Sequence, residues 1–428
     1  MIKFVTNLKE KEFSLFVDNH PSKAHFLQSP LWGEINKERK FFPHYVGLKK
    51  DNQLIATALI LEKRLYFGYC YFYIPRGYVL DYSDKEVIKI FTEYLKVYAK
   101  KNKALFIKMD PDIKLHSLNK EGIPLKEEPN NYALVKYLES LGFQHQGYNL
   151  NFEGSQPRYT FRIDLTKKWK EIIEGFSNTT KQRIKKALEY EIEVLEGTEK
   201  ELPEFFRLVF QTEERKQIYQ HDYHFYQKLY RHFLQEDKVK LFLGRLYPDK
   251  IIKNLEKEKE ITEKELEKIN NSKETKKKKK FQEVKNKLIK IDSDLKFFLP
   301  YKDKYPKGLF ISAQLIVYYG DKGWVLYAGN DYKFSRTYAN YLVYQNHIEE
   351  AYQRKVKIYD QFGTVGDLRD DNPLKGLHEF KRKFGGEYIE FIGEFDLIIN
   401  KFLYYIFIYL IPFYRKIKRR IIIRRIKK

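Results

Sequence analysis

The residues in this chain best suited to chemistry are basic, and they come in clusters. Asn178–Tyr190 reads as a helix carrying Lys181, Arg183, Lys185 and Lys186. Cations so placed fit contact with phosphate groups, and a solvated helix face accounts for them nearly as well. Lys276, Lys277, Lys278, Lys279 and Lys280 follow one another without a break. Nine Lys or Arg fall within Arg415–Lys428, directly after the uncharged aromatic and aliphatic stretch Phe402–Tyr414. That stretch is shorter than the roughly 20 residues needed to span a bilayer, and Pro412 interrupts it. Apolar residues beside a polybasic cluster suggest adsorption to an anionic membrane surface, with about 1 kcal/mol for each charge near it. The alternative is a core-packing helix followed by a basic tail. Over the whole chain, 81 Lys and Arg against 58 Asp and Glu give a net charge of +23. Such a surplus points to a polyanionic partner: nucleic acid, anionic lipid or a phosphorylated substrate.

Other chemistries lack their residues. The ten histidines form no HExxH or similar pairing, so no metal is expected. A single cysteine, Cys70, excludes an intrachain disulfide framework and a Cys-cluster metal site. No Walker motif is present, and no Ser/His/Asp constellation can be named from spacing. Charges within MIKFVTNLKEKEF argue against a secretory signal, and a cytosolic location, in contact with the inner membrane face through the tail, is the expectation.

Stepping from these residues to their supports, 428 residues suggest two or three domains at roughly 150 residues each. Residues 1–150 alternate strands (His44–Lys49, Gln53–Leu61, Leu65–Ile74, Ala104–Met109) with helices. In Asp84–Lys100, Val87, Ile88, Ile90, Phe91, Tyr94, Leu95 and Tyr98 recur at three and four, the helical period, and Ser83 is a candidate cap. A second helix, Asn130–Leu141, ends at Gly142. A comparable block follows: strand Tyr159–Leu165, the basic helix, helices Pro203–Gln217 and Tyr223–Glu236, strands Lys240–Tyr247, Leu309–Tyr319 and Gly323–Gly329, helix Ala339–Arg354 and strand Lys357–Asp360. The pattern predicts an α/β (α+β) fold in two blocks, 1–150 and 151–250 with 298–400. Duplication is suspected, although no fixed-period repeat is visible.

Residues 251–297 differ in texture: Lys, Glu, Asn, Ile and Leu dominate, without Gly or Pro. Ile252, Leu255, Lys259, Thr262, Leu266 and Ile269, then Phe281, Val284, Leu288, Ile291 and Leu295, keep a heptad spacing on either side of a break at Asn270–Thr275. Two antiparallel helices follow, an inserted coiled-coil arm whose first helix of roughly 18 residues would project about 27 Å. The lysine run sits at its tip. The arm is either a surface insertion with a solvated lysine face or a contact for an acidic polymer, usually RNA.

Six motifs, in order, resemble those of the Fem-type (FemABX) aminoacyl-tRNA-dependent transferases, which build the interpeptide bridge of peptidoglycan. They are HFLQSPLWGEINK (His25–Lys37), FIKMDP (Phe106–Pro111), NTTKQRIKKALEYEIEV (Asn178–Val194), GWVLYAG (Gly323–Gly329), KIYDQFGTVGD (Lys357–Asp367) and GLHEFKRKFGGEYIEFIGEFD (Gly376–Asp396). The resemblance implies two GNAT-like acyltransferase α/β domains, with a tRNA-contacting helical arm in the second. It implies aminolysis of an ester, in which an amine on a lipid-linked muropeptide attacks the aminoacyl carbonyl of a charged tRNA. No cofactor is implied beyond that co-substrate, because the Gly-rich pyrophosphate loop of CoA-dependent relatives is missing.

By the same resemblance, Lys381 is the cationic donor to the oxyanion and Phe380 shapes its site, with Lys383 as a second cation. An ordinary pair of exposed lysines is the alternative for Lys381 and Lys383. Asp110 could take the proton of the attacking amine, or simply hold the Asp110-Pro111 turn. Lys37 and Arg76 match precursor-binding positions. His221 falls where some members carry an arginine, and Tyr226 and Tyr327 would add hydroxyls or stacking unless they are core aromatics. The runner-up functions are tRNA-dependent transfer to a phospholipid or protein, and a non-catalytic RNA- or membrane-binding protein. The acceptor position and the amino acid transferred are not legible in any motif.

Overall fold

The computed structural model describes residues 1–216, 221–270 and 278–410. The chain opens with β1 (Ile2–Val5), α1 (Glu10–Asn19) and α2 (Pro30–Lys37), then β2 (Phe41–Lys50), β3 (Gln53–Arg64) and β4 (Cys70–Ile74). Helix α3 (Lys85–Lys101) crosses to β5 (Ala104–Met109), followed by β6 (Lys114–Leu118), α4 (Tyr132–Ser140) and β7 (Phe143–His145). The second half begins with β8 (Tyr159–Asp164), α5 (Trp169–Glu174), α6 (Asn178–Glu189), β9 (Glu193–Gly197), α7 (Leu202–Lys216), α8 (Tyr223–Leu234) and β10 (Val239–Leu246). The arm is α9 (Pro248–Asn270) and α10 (Lys278–Phe298). After it come β11 (Leu309–Tyr319), β12 (Lys322–Asn330), α11 (Ala339–Gln353), β13 (Ile358–Asp360), α12 (Lys375–Arg382), β14 (Glu387–Phe391), β15 (Phe395–Ile398) and α13 (Lys401–Tyr405).

Two sheets result, ordered β1-β2-β3-β4-β5-β15-β7 and β9-β10-β11-β12-β13-β8-β14-β6. Each is antiparallel except for one parallel pair, β4 with β5 and β12 with β13. A parallel pair needs a crossover, supplied by α3 in one sheet and α11 in the other. This matched order is what a duplicated α/β unit produces, and the expected pair of acyltransferase-like domains is present. Helix α3 forms because Ile88, Phe91, Thr92, Leu95 and Ala99 recur on one buried face. Asp84, and not the expected Ser83, caps it, accepting from Val87 N at 3.0 Å.

Strand membership departs from the expected boundary near residue 150. Strand β6, read within the first block, pairs with β14 in the second sheet, and β15, near the far end of the chain, pairs with β5 in the first. Strand β15 thus fills the place between β5 and β7 in the first sheet, and β6 forms the outer strand of the second beside β14. The expected strand Leu65–Ile74 is shorter, because a turn at Tyr66–Gly68 with Phe67 at φ +59° interrupts it. One apolar cluster joins the halves, running from Leu8, Phe26, Trp32 and Val79 to Leu202, Tyr226, Leu243 and Trp324.

The arm is the expected antiparallel helix pair, with Ile252, Leu255, Thr262 and Ile269 buried on α9 and Val284 and Ile291 on α10. Its polar seam positions find partners: Lys259 reaches Asp292 at 2.8 Å, and Thr262 Oγ1 donates to the Glu258 carbonyl. Lys278–Lys280 lie exposed at the start of α10, and Lys280 is 3.4 Å from Glu265. Lys276 and Lys277, and the basic tail Arg415–Lys428, lie outside the described residues. No described helix is long and apolar enough to cross a membrane.

Candidate active site

The parallel strands β4 and β5 end side by side, and their ends build the first part of the site. Asp110 follows β5. Its Oδ1 accepts from the backbone N–H of Arg76 at 2.6 Å, and its Oδ2 from the Tyr73 hydroxyl at 2.8 Å. Arg76 sits in the left-handed region (φ +60°), as does Gly77 (φ +77°). A Cβ at Gly77 would fall 3.0 Å from the Pro111 backbone, so this turn and the Asp110-Pro111 turn are pressed together. Burial pushes the Asp110 carboxyl up to about 6, against the opposing pull of the Arg76 charge and its amide. The Arg76 guanidinium lies over Phe391 (4.9 Å) and donates to the Pro157 carbonyl at 3.4 Å.

Two residues on, Asp112 faces a different environment. The Arg162 guanidinium pairs with it, donating from Nε to Asp360 at 2.8 Å as well; Lys322 Nζ is 3.6 Å away, and Lys23 Nζ donates to the Asp112 carbonyl at 2.9 Å. Although buried, its carboxyl is held well below the ordinary range by Arg162 first and Lys322 second. This ionic seam ties the segment before α2 to the ends of β5, β8, β12 and β13.

Lys381, on α12, is buried at 8% exposure, so it is no ordinary surface lysine. Its ammonium donates to the carbonyl oxygens of Phe362 and of Gly363, the latter at 2.7 Å. Phe362 is itself left-handed (φ +52°), and its amide donates to Asp360 Oδ1 at 2.8 Å. A Cβ at Gly363 would lie 2.6 Å from the Pro157 ring. Pro157 therefore touches both halves of the site, Arg76 through its carbonyl and Gly363 through its ring. Beside it, Gln156 Nε2 donates to the Tyr73 hydroxyl at 3.4 Å. Contacts thus link Asp110 to Gln156 through Tyr73, and Lys381 to Pro157 through Gly363. Phe380 packs on Tyr341, Tyr344 and Phe384 at 5.1–5.2 Å, anchoring α12 to the second core. Lys383 offers its backbone: its carbonyl accepts from Ser177 N and Thr180 Oγ1 at the start of α6.

A third group is aromatic. His221, just before α8, stacks on Phe225 at 3.7 Å and meets Tyr226 and Tyr327 edge-on. Tyr226 and Tyr327 pack at 4.9 Å, nearly perpendicular, and the Tyr226 hydroxyl donates to Glu213 at 3.3 Å. Burial, then the nearby Arg39 charge, pushes His221 down to about 4. It is a neutral imidazole at neutral pH and does not replace an arginine's charge. Lys37, at the end of α2, is half exposed and pairs with Glu34 on its own helix. Tyr73, Tyr327 and Phe362 all pack against the inter-unit cluster that contains Tyr226.

The basic helix α6 adjoins α12 through Lys383 and through Tyr341, on which Phe380 also packs. Arg183 donates to the Tyr341 hydroxyl and covers the Tyr338 and Tyr341 rings, and Lys186 lies 6.0 Å over Tyr338. Lys181 donates to the Glu174 carbonyl, and Lys185 is exposed. Arg183 thus packs on Tyr338 and the α11 residue Tyr341, and Lys186 on Tyr338 just before α11, where a plain solvated face was the alternative. Sequence reasoning did not name Tyr73, Gln156, Pro157, Phe362 or Gly363. The last two lie within the Lys357–Asp367 motif, so its central residues carried a signal.

A model of the family described as the FemAB family matches residues 8–411. A lipid II:glycine glycyltransferase of Staphylococcus haemolyticus is 28% identical over 410 residues, covering 93% of each chain. Its namesake from Staphylococcus epidermidis is 27% identical over 405 residues, 94% of each chain, and that from Staphylococcus aureus is 28% identical over 408 residues, 93% of each. Among solved structures, the crystal structure of FemX superposes with a TM-score of 0.75 at 26% identity, covering 95% of this chain and 99% of that one.

Proposed function

The chain belongs to the FemAB family, and from that premise we propose that it is an aminoacyltransferase acting on a lipid-linked peptidoglycan precursor, moving an amino acid from aminoacyl-tRNA to the stem peptide or growing bridge. Its curated relatives carry the name lipid II:glycine glycyltransferase, and the likeness runs through nearly their whole length. The observation that carries the reading is the buried Lys381 ammonium, held by the Phe362 and Gly363 carbonyls and linked through the Gln156–Pro157 segment to a buried carboxylate with a raised pKa.

The attacking amine forms the new C–N bond, the carbonyl oxygen takes negative charge, and the C–O ester bond to the tRNA then breaks. Lys381 faces the developing oxyanion, and the Phe362 and Gly363 carbonyls orient its ammonium. A fixed cation there contributes several kcal/mol to the transition state, about 3 on the scale of single oxyanion donors. Asp110 receives the amine proton, with Tyr73 as the hydroxyl that orients it. A carboxyl near 6 is ionised at neutral pH yet more basic than an exposed one, as a general base requires. The departing ribose oxygen takes a proton in turn. His221 and Tyr327 present an aromatic face to the precursor, with Arg39 as the nearby cation; Tyr226 is a fully buried core aromatic that backs them.

The test is to incubate the protein with lipid-linked precursor and a charged tRNA pool and weigh the muropeptide. A gain of one amino-acid residue, abolished by RNase and by Lys381→Met, is expected. No gain with any charged tRNA would overturn the reading.

A further inference from the structure

We propose that the end of the first sheet formed by the β3–β4 turn and α13 docks onto an anionic lipid bilayer, inserting aromatic side chains at its interface. This is read from the surface itself and not from the transfer reaction. Tyr66 and Phe67 form the turn tip at 79% and 94% exposure. Phe67 is left-handed, φ +59°. A bulky aromatic gains nothing from that backbone, and glycine would fit it better. A ring held outward there at a conformational cost, with almost no protein contact, is placed for something outside the protein.

The turn has company. Leu65 and Tyr69, flanking it, and Leu403 and Phe407, beyond it in sequence, pack on one small cluster around Phe106 and Tyr404. This sets α13, and the π-helical turn Ile406–Leu410 that follows it, beside the β3–β4 turn. Their outward residues are again aromatic: Phe402 is 74% exposed and Tyr409 60%. Phenylalanine and tyrosine in this arrangement match the headgroup level of a bilayer, where a ring meets apolar chains and a hydroxyl meets water.

Charge selects the lipid. Lys63 and Arg64 precede the turn, and Lys401 opens α13. Residues 397–428 contain no Asp or Glu, and the 18 residues that continue from this face at position 411 include nine Lys or Arg. A polybasic segment leaving an aromatic face complements anionic headgroups, and it gives a soluble apolar peptide no advantage.

The experiment uses the full chain with phosphatidylglycerol vesicles lacking any precursor, phosphatidylcholine vesicles being the neutral comparison. Its outcome is therefore independent of whether the transfer assay succeeds. The double variant Tyr66→Ser/Phe67→Gly should lose about tenfold in partition onto phosphatidylglycerol while unfolding at an unchanged temperature, since glycine accepts the turn. Phe67→Trp, read against the parent's own tryptophans, should shift its emission to the blue on adding those vesicles and not on adding phosphatidylcholine. Undiminished partition of the double variant with no blue shift would leave membrane contact to the tail alone and overturn the proposal. A blue shift without vesicles that grows with protein concentration would mean that a second copy covers this face, and would overturn it equally.

Discussion

Asp110 and Asp112 stand two residues apart in one turn, both buried, and their surroundings drive them in opposite directions. Asp110 is met by a backbone amide and a phenol, and burial raises it to about 6. Asp112 is met by Arg162, with Lys322 and Lys23 nearby, and is held well below the usual carboxylate range. A carboxylate neutralised by cations is a structural tie. One that burial raises in spite of a single nearby cation, Arg76, can still take a proton, and that is the chemistry the proposed reaction needs.

The largest test of this contrast is Asp112→Asn. It strips a buried carboxylate from the cations around it and should destabilise the fold by about 3–5 kcal/mol in denaturant unfolding. Asp110→Asn should do the reverse. Transfer should fall by about 100-fold, while unfolding free energy at neutral pH rises by about 1–3 kcal/mol, because the cost of keeping Asp110 ionised disappears. Equal destabilisation by both variants would break the comparison.

The pH profile sharpens it. Asp110 has a raised folded value, so acidification from pH 7 towards 4 favours the folded state, which takes up a proton there before the unfolded chain does. Asp112 has a depressed value, so its contribution is present above the unfolded carboxylate range and is lost only as pH falls below about 4. Transfer should decline below pH about 6 as Asp110 protonates, and Asp110→Asn should lack that limb in a rate-against-pH series. The smallest expected effect is from Tyr73→Phe. Losing a hydrogen bond to the ionised form, worth about 1 kcal/mol, should move the limb upward by roughly one pH unit. An unmoved limb would assign it to another group.

Legibility followed the range of the forces involved. Strands β5 and β11 were bounded to the residue, because Ala104–Met109 and Leu309–Tyr319 are nearly continuous apolar runs. Helix α3 and the arm were legible through periodicity. The placing of strands β6 and β15 was not legible, since their exchange between sheets depends on partners hundreds of residues away. At the site, motif resemblance led to Lys381 and Asp110. It did not lead to the Gln156–Pro157 segment between them, whose residues take their meaning from Arg76 and Gly363.

The sequence by itself determined the α/β alternation, the inserted helical arm, the basic surplus and the clusters that express it, because composition and short-range periodicity are written residue by residue. A motif singled out Asp110, but nothing local sets the ionisation of Asp110 or Asp112, which are identical groups flanking one proline. Only the tertiary structure decided which would face cations and which a phenol and an amide, because desolvation and Coulomb interaction depend on what the fold brings within a few ångströms.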